Sequence, residues 1–382
     1  MKNFYLLLLS LFFAINIQAQ AIYKTIDSEK LGEKRELKIQ LPRNYNPEEK
    51  RTYPLIVVLD GDYLFEPIAG NIDYQSYWED IPDCIVVGIN QGDTRTDDFY
   101  YHEDTYFPIG TGASFYEFLA AELLPFIEDN YKASNFRIIF GHDLSANYIN
   151  YYLFKDEPLF RAYVAFSPEF APEMINRLQQ RLSILKQETF YYMATADADI
   201  KDLRASTIQA DSIISNIENE KLFYTYDDFE DTNHYGLVGR GIPKALNEIF
   251  NLFKPINAKE YKEKVLTYEG SPYEYLTKKY EDIEYFYGFE KELIENDIRA
   301  IAAASDKKDD LDSLEDLAKL VKKKFPDSML SAYYLGMYYE KIGNLRKALL
   351  EYKGGLLLQP SQFVDKEIIL EKMYNTQEAL ND

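Results

Sequence analysis

The sequence predicts an α/β fold built on a mostly parallel sheet, and three observations support this class. Near-continuous apolar runs recur along the chain, as in strands that are buried on both faces. Helical patterns separate these runs, and such alternation is typical of βαβ units. The strand pattern stops after Pro255, and only helical patterns follow. We therefore expect, within 382 residues, an α/β domain over 21–255 and a helical region over 256–382.

The individual strands are predicted from their apolar patterns. Leu37, Ile39 and Leu41 alternate with polar residues, as in a half-exposed strand. The remaining predicted strands have near-continuous apolar sequences, which favours positions inside a parallel sheet. They are 54–60, 84–89, 136–140, 162–167, 189–194 and 222–226.

Helices are predicted between the strands. Residues 115–131 carry apolar side chains at helical spacing, and 243–253 form the last helix of the α/β domain. Three further helices are expected to begin near Leu144, Pro172 and Ala205. They provide the layers that cover the two faces of the sheet.

The N-terminus has the pattern of a secretory signal peptide over 1–20. Lys2 precedes an apolar run over 4–15, and small residues follow at 19–21. This run is too short to span a bilayer, so we expect no transmembrane span in the mature protein. The prediction is an exported protein, with the periplasm as first choice and secretion as the alternative. The single cysteine, Cys84, lies in an apolar run and is assigned to the core.

The charge of the chain excludes one class of partner. Asp and Glu outnumber Lys and Arg by 64 to 42, which gives a formal net charge of −22. Such a surface repels phosphate backbones, so we expect no nucleic-acid binding. The acidity is interpreted as a device for solubility.

The C-terminal region contains one tetratricopeptide-like pattern over 329–362, in which small residues let two antiparallel helices approach closely. Pro326 lies one repeat length before Pro360, which suggests a degenerate preceding repeat. The charged cluster 306–312 is interpreted as a solvated loop. The two helices predicted over 329–362 either bind a protein partner or have a purely structural role. The matching residues are Leu335, Gly336, Tyr339, Gly343, Ala348, Tyr352 and Pro360.

Residues 136–147 contain the motif that predicts a catalytic site. A predicted strand leads to Gly141 and His142, one residue follows, and a predicted helix begins. This is the strand–turn–helix context of the nucleophile elbow, in which small neighbours permit a sharp turn. The elbow position holds Asp143 instead of the usual serine. His142 is assigned a structural role as the residue before the nucleophile position.

Together, several blocks resemble the esterase D and enterochelin-esterase family. The resemblance covers about 40–253 and implies an α/β-hydrolase fold, no cofactor, and a small-molecule ester substrate such as an acylated carbohydrate or siderophore. No group of His, Cys and carboxylates has the spacing of a metal site. The blocks are 54–65, 88–99, 115–131, 165–170 and 233–250.

The resemblance also assigns the other site residues. In this fold the nucleophile, acid and histidine follow one another along the chain. That order places His234 as the histidine and either Asp197 or Asp199 as the acid, with Asp197 slightly favoured. The oxyanion hole would use the backbone N–H of Leu144 and that of Gly61 or Asp62.

Asp143 leaves three functional hypotheses. The first is a degenerate esterase that acts by binding or scaffolding, with serine chemistry reduced at least about 10³-fold. The second is an active carboxylic-ester hydrolase with an altered mechanism. The third is an Asp-nucleophile hydrolase of the kind that includes haloalkane dehalogenases and epoxide hydrolases, in which His234 would activate water. Ser145 as a displaced nucleophile is disfavoured, because a small residue is needed there for packing.

Overall fold

The structure is a computed structural model that describes residues 21–381, so the predicted signal peptide lies outside the described residues. The chain divides into two compact units. The first comprises the described residues up to Asn251 together with Phe286–Phe289, and the second comprises Leu252–Tyr285 and the described residues from Glu290 onward. The change of unit at Asn251 lies close to the expected boundary after residue 255. The return of Phe286–Phe289 to the first unit has no signal in the sequence.

The first unit is built on one eight-stranded sheet with the order β1-β2-β4-β3-β5-β6-β7-β8. The pairs β1–β2 and β2–β4 are antiparallel, and all other neighbours are parallel. This arrangement confirms the predicted fold class. The strands are β1 Ile22–Ser28, β2 Glu33–Gln40, β3 Tyr53–Val58, β4 Ile85–Ile89, β5 Ala133–His142, β6 Ala162–Phe166, β7 Thr189–Ala198 and β8 Leu222–Asn233.

Strand β1 was not predicted from the sequence. It lies at the edge of the sheet, and its central residues Tyr23, Lys24 and Thr25 are exposed. An edge strand with little buried surface carries no strong apolar pattern, so hydrophobic periodicity misses it. The inner strands β3 and β4 are fully buried and follow the predicted runs closely.

Helices cover both faces of the sheet. Helix α1 was missed because Pro67 and Gly70 interrupt its helical pattern. The predicted helix over 115–131 corresponds to α3 and α4, joined by a π-helical turn at Leu119–Leu123. The helices of this unit are α1 Gly61–Tyr77, α2 Arg95–Asp98, α3 Thr111–Phe118, α4 Leu124–Asn130, α5 Leu144–Tyr148, α6 Met174–Ser183, α7 Lys201–Ile214 and α8 Gly236–Ile249.

The second unit is helical, as expected. Its clearest feature is the close approach of α13 and α14. A Cβ added at Gly336 would lie 2.2 Å from the Tyr352 ring, and one at Gly355 would lie 2.8 Å from the Ala332 side chain. These contacts explain the small residues, while the assignment as a tetratricopeptide repeat stays a prediction. The helices that lie in or enter this unit are α9 Ala258–Glu260, α10 Pro272–Tyr287, α11 Glu295–Lys307, α12 Leu311–Lys324, α13 Met329–Lys341, α14 Leu345–Gly355 and α15 Lys366–Asn381.

Within residues 21–381, no helix combines the length and the apolar character that crossing a membrane requires.

Candidate active site

The elbow forms where β5 ends and α5 begins. Asp143 stands between them with φ 62° and ψ −120°, a backbone conformation that side-chain-bearing residues rarely adopt. Its N–H donates to the Phe166 carbonyl of the neighbouring strand at 3.0 Å. Gly141 is required because an added Cβ would lie 2.6 Å from the Ser145 backbone. The strained turn therefore presents the side chain of residue 143 at the carboxyl end of the sheet.

The Asp143 carboxylate has two charged neighbours. Arg95 Nη2 lies 3.6 Å from Asp143 Oδ2, which is ion-pair rather than hydrogen-bond distance. Glu169 donates its backbone N–H to the Asp143 carbonyl at 3.1 Å. The pKa of Glu169 is raised by burial, by the charge of Asp143, and by a hydrogen bond between the two side chains. Burial and the neighbouring Asp143 therefore both favour the protonated form of Glu169.

Asp60 is the central acceptor of a hydrogen-bond network beside the elbow. Its side chain is about 1% exposed and accepts two hydrogen bonds from Arg95, Nε to Oδ1 at 2.7 Å and Nη2 to Oδ2 at 3.1 Å. Ser145 Oγ donates to Asp60 Oδ2 at 2.6 Å, and Tyr63 Oη lies 3.2 Å from the same oxygen. Asp60 thus neutralises Arg95. Ser145 is fully buried in this network, which argues against it as a displaced nucleophile.

His234 forms a dyad with Asp199. Its Nδ1 lies 2.8 Å from Asp199 Oδ1, and the histidine is only 6% exposed. Burial opposes the ionisation of Asp199, but hydrogen bonds with His234, Thr195 and Ser167 and from the Ile200 N–H lower its pKa to about 2. An ionised Asp199 fixes a proton on His234 Nδ1 and leaves Nε2 as the free edge of the ring. This is the arrangement that orients the general base in triad hydrolases.

Asp197 does not take part in the dyad, so the slight preference for it was wrong. Its carboxylate accepts backbone N–H groups from Asp231 at 2.9 Å and Thr232 at 3.2 Å. Strand β7 ends at Ala198, and its register with β8 shifts between Ala196 and Ala198. The irregular strand end turns Asp199, and not Asp197, toward His234.

The dyad and the elbow residue are not paired with each other. Between the described residues Asp143 and His234 there is no ion pair, since Asp143 is paired with Arg95 and His234 with Asp199. The site therefore holds an oriented histidine and an elbow carboxylate as two separate electrostatic groups.

The backbone donors that the sequence proposed for an oxyanion hole lie at two helix starts. Leu144 is the first residue of α5, and Gly61 and Asp62 are the first two residues of α1. N–H groups in the first turn of a helix have no carbonyl partner within that helix. The Asp62 carboxylate accepts the N–H groups of Gln91 and Gly92. Their use as an oxyanion hole stays a prediction.

His142 is fixed beside the dyad. Its Nε2 lies 3.1 Å from the His234 carbonyl, its Nδ1 lies 3.1 Å from Tyr63 Oη, and its ring centroid lies 4.3 Å from that of His234. Burial, assisted by the neighbouring His234, lowers the pKa of His142 from 6.5 to about 4. His142 is therefore a neutral ring that supports the site.

We expect this buried ring to make stability depend on pH. Between about pH 6.5 and pH 4 the unfolded chain protonates His142 and the folded chain does not, so stability falls as the pH falls. The free energy of unfolding should drop by about 2 kcal/mol from this residue between pH 7 and pH 5. Urea unfolding of wild type and His142→Asn at both pH values checks this. Equal pH dependence in the two proteins would contradict the assignment.

Three residues of the site were missed in the sequence, namely Asp60, Arg95 and Glu169. Each lies in a block that carried the family resemblance, but none stands in a position with a general motif. Their roles depend on contacts between segments more than 25 residues apart, as in Asp60–Arg95 with a separation of 35. Within the described residues, no group of three or more His, Cys, Asp or Glu side chains is arranged to hold a metal ion.

An eight-stranded, mostly parallel sheet, a strained elbow and an Asp199–His234 dyad define the α/β-hydrolase class. The sequence model of the family described as putative esterase matches residues 28–226 of the 382. The chain therefore belongs to the putative esterase family. No curated protein matches the chain.

Solved structures agree with this class. An uncharacterised protein from Capnocytophaga ochracea is 31% identical, with a TM-score of 0.82, over 94% of this chain and 100% of that one. An IroE-like serine hydrolase from Shewanella oneidensis is 20% identical, with a TM-score of 0.59, over 80% and 99% of the two chains. The BES protein from Bacillus cereus is 22% identical, with a TM-score of 0.54, over 61% and 95%. The latter two support the fold alone.

Proposed function

We propose that this protein binds small ester ligands at its elbow and hydrolyses carboxylic esters weakly or not at all. The observation that carries the proposal is the state of Asp143. It occupies the nucleophile position of an esterase-family fold and is paired with Arg95, so the oriented His234 has no hydroxyl at the elbow position to deprotonate. The elbow turn and the oriented histidine are kept, and the group that would attack an ester is replaced.

The chemistry of a carboxylate explains the loss of turnover. Attack by Asp143 on an ester carbonyl would form a mixed anhydride, which is less stable than the ester it replaces. The negative charge also repels a developing oxyanion, by roughly 1–4 kcal/mol at a separation of 4 Å. Both effects act against acyl transfer, and neither prevents a ligand from binding.

The remaining parts of the proposal concern the cellular compartment and a protein partner. The N-terminal pattern over 1–20 supports export, with the periplasm as the first compartment. The close-packed helices α13 and α14 support a second role for the C-terminal region as a surface for a protein partner, which is how stacked helical hairpins commonly act.

The test is to follow turnover and binding separately in the mature protein. We expect no hydrolysis of nitrophenyl acetate that depends on His234 when wild type and His234→Ala are compared. We expect short-chain alkyl esters to raise the melting temperature of wild type, because a ligand that binds only the folded state stabilises it. Wild-type turnover that His234→Ala abolishes would overturn the proposal.

A second candidate function rests on the intact dyad. The hydrogen-bonded Asp199–His234 pair is what hydrolysis of an enzyme-bound alkyl ester requires. In that reaction an Asp143 oxygen bonds to a saturated carbon of a haloalkane, and the halide leaves with its bonding electrons. His234 then activates a water molecule that cleaves the ester and restores the carboxylate.

This candidate is tested by trapping the intermediate. With a 1-haloalkane, His234→Ala should accumulate an alkyl group on Asp143, because the second step lacks its base. Peptide mass spectrometry locates the adduct, and Asp143→Asn serves as the unreactive control. An unmodified residue 143 in His234→Ala would exclude this function.

A further inference from the structure

We propose that the elbow binds the primary ammonium group of a small ligand. This inference rests on the proposed binding function and names the chemical class that the same site selects. A serine elbow presents a hydroxyl donor and a nucleophile to its ligand, whereas this elbow presents hydrogen-bond acceptors. The complementary group is one with several N–H donors and a positive charge.

The first acceptor is the Asp143 carboxylate. Its side chain is 24% exposed, so it is reachable and yet largely withdrawn from water. Its nearest cation, Arg95, stays at 3.6 Å, outside hydrogen-bond distance. Apart from the hydrogen bond with Glu169, no described side chain donates a hydrogen bond to these oxygens. An ionised carboxylate has about four acceptor sites, so most of that capacity is left for a ligand.

The second acceptor is His234 Nε2. Asp199 and Ser167 occupy the Nδ1 edge of the ring, at 2.8 and 3.1 Å. The proton held on Nδ1 by an ionised Asp199 leaves a lone pair on Nε2. Among the described residues Nε2 has no hydrogen-bond partner, and the histidine is only 6% exposed. This lone pair beside the elbow can accept a hydrogen bond from a ligand donor.

The positive charge of Arg95 does not make the electrostatic potential of the site positive. Its Nε and Nη2 groups donate to Asp60, and Nη2 also lies 3.2 Å from the His142 carbonyl. Two hydrogen bonds join its charge to Asp60. Asp143 and Asp199 are the further carboxylates of the site, while the raised pKa of Glu169 favours its neutral form. The net field favours a cation over a neutral or anionic group.

Two tyrosines provide faces for such a cation. Tyr235 is 78% exposed, and its ring centroid lies 5.1 Å from that of His234. Tyr63 is 45% exposed, and its ring centroid lies 6.0 Å from that of His142. Aromatic faces attract ammonium groups that come within about 6 Å of the ring centre. The carboxylate, the imidazole and the two phenol rings are therefore all groups that attract an ammonium ion.

The test compares two probes of the same shape, benzylamine in its ammonium form and benzyl alcohol, by calorimetry on the mature full-length protein at pH 7. Wild type should bind the ammonium probe on the order of ten-fold or more tightly than the alcohol, since charge-assisted hydrogen bonds are worth more than neutral ones. Asp143→Asn keeps the shape of the side chain and should lose most of this preference. Asp129→Asn is the matched control, because Asp129 is exposed in α4 before the start of β5, whereas the elbow follows its end.

Each outcome decides the inference. The preference in wild type and Asp129→Asn, with its loss in Asp143→Asn, supports it. Equal affinity for the two probes, absence of ammonium binding, or a preference that survives in Asp143→Asn overturns it. If short esters still stabilise wild type in the melting experiment, the ammonium inference alone has failed and the proposed binding function stands.

Discussion

Asp143→Ser is expected to gain hydrolysis of nitrophenyl acetate by at least about 10³-fold over wild type. The substitution removes the carboxylate beside the proposed oxyanion donors and restores a hydroxyl at a turn that already has φ 62° and ψ −120°. His234 is already oriented by Asp199, as a general base requires. The measurement is the initial rate of nitrophenolate release at pH 8 by wild type and variant.

The control for this gain is the double variant Asp143→Ser with His234→Ala. Without the imidazole the serine is not activated, so the double variant should return to the wild-type rate. Asp143→Ala should stay inactive, because it removes the negative charge without supplying a nucleophile. A gain of equal size in Asp143→Ala would show that the new serine plays no part.

Asp60→Ala is expected to lower the free energy of unfolding by about 2–4 kcal/mol, since it removes both hydrogen bonds from Arg95 to a carboxylate and leaves only the longer ion pair with Asp143 in a mostly buried setting. The buried Ser145 hydroxyl loses its acceptor as well. Arg95 is about one quarter exposed, so water replaces part of the lost interaction and keeps the cost below that of a fully buried pair. Urea unfolding monitored by tyrosine fluorescence and circular dichroism measures the change.

A surface ion pair provides the comparison for this prediction. Asp73 pairs with Arg43 at 2.6 Å, and both side chains are much more exposed than Asp60. Asp73→Ala should cost less than about 1 kcal/mol, as is usual for exposed pairs. Similar losses in Asp60→Ala and Asp73→Ala would contradict the role of Asp60 as the support of the site.

The fold was predictable because its signals are local. The inner strands β3, β4 and β6 are short apolar runs, and their burial on both faces requires that composition. The elbow was predictable because Gly141 and the small residues after Asp143 are demanded by one tight turn. The order of Asp143 and His234 along the chain then followed from the class of fold.

The parts that the sequence did not predict depend on contacts between distant segments or on local irregularity. Asp197 and Asp199 are two residues apart, so in a regular strand their side chains would lie on the same face. Only the register shift at the end of β7 separates their roles. Asp60 and Arg95 pair across 35 residues, and Glu169 approaches Asp143 from the loop after β6. Side-chain pairing of this kind leaves no periodic pattern in the sequence.

The most direct test of the central claim is covalent labelling with an alkyl fluorophosphonate, which phosphonylates an activated serine. The central claim is that position 143 alone separates this site from a working serine elbow. It predicts that Asp143→Ser is labelled at residue 143, that Asp143→Ser with His234→Ala is not, and that wild type is not labelled at any serine. Labelling of wild type at Ser145 or another serine, or an unlabelled Asp143→Ser protein that is folded, would contradict the claim.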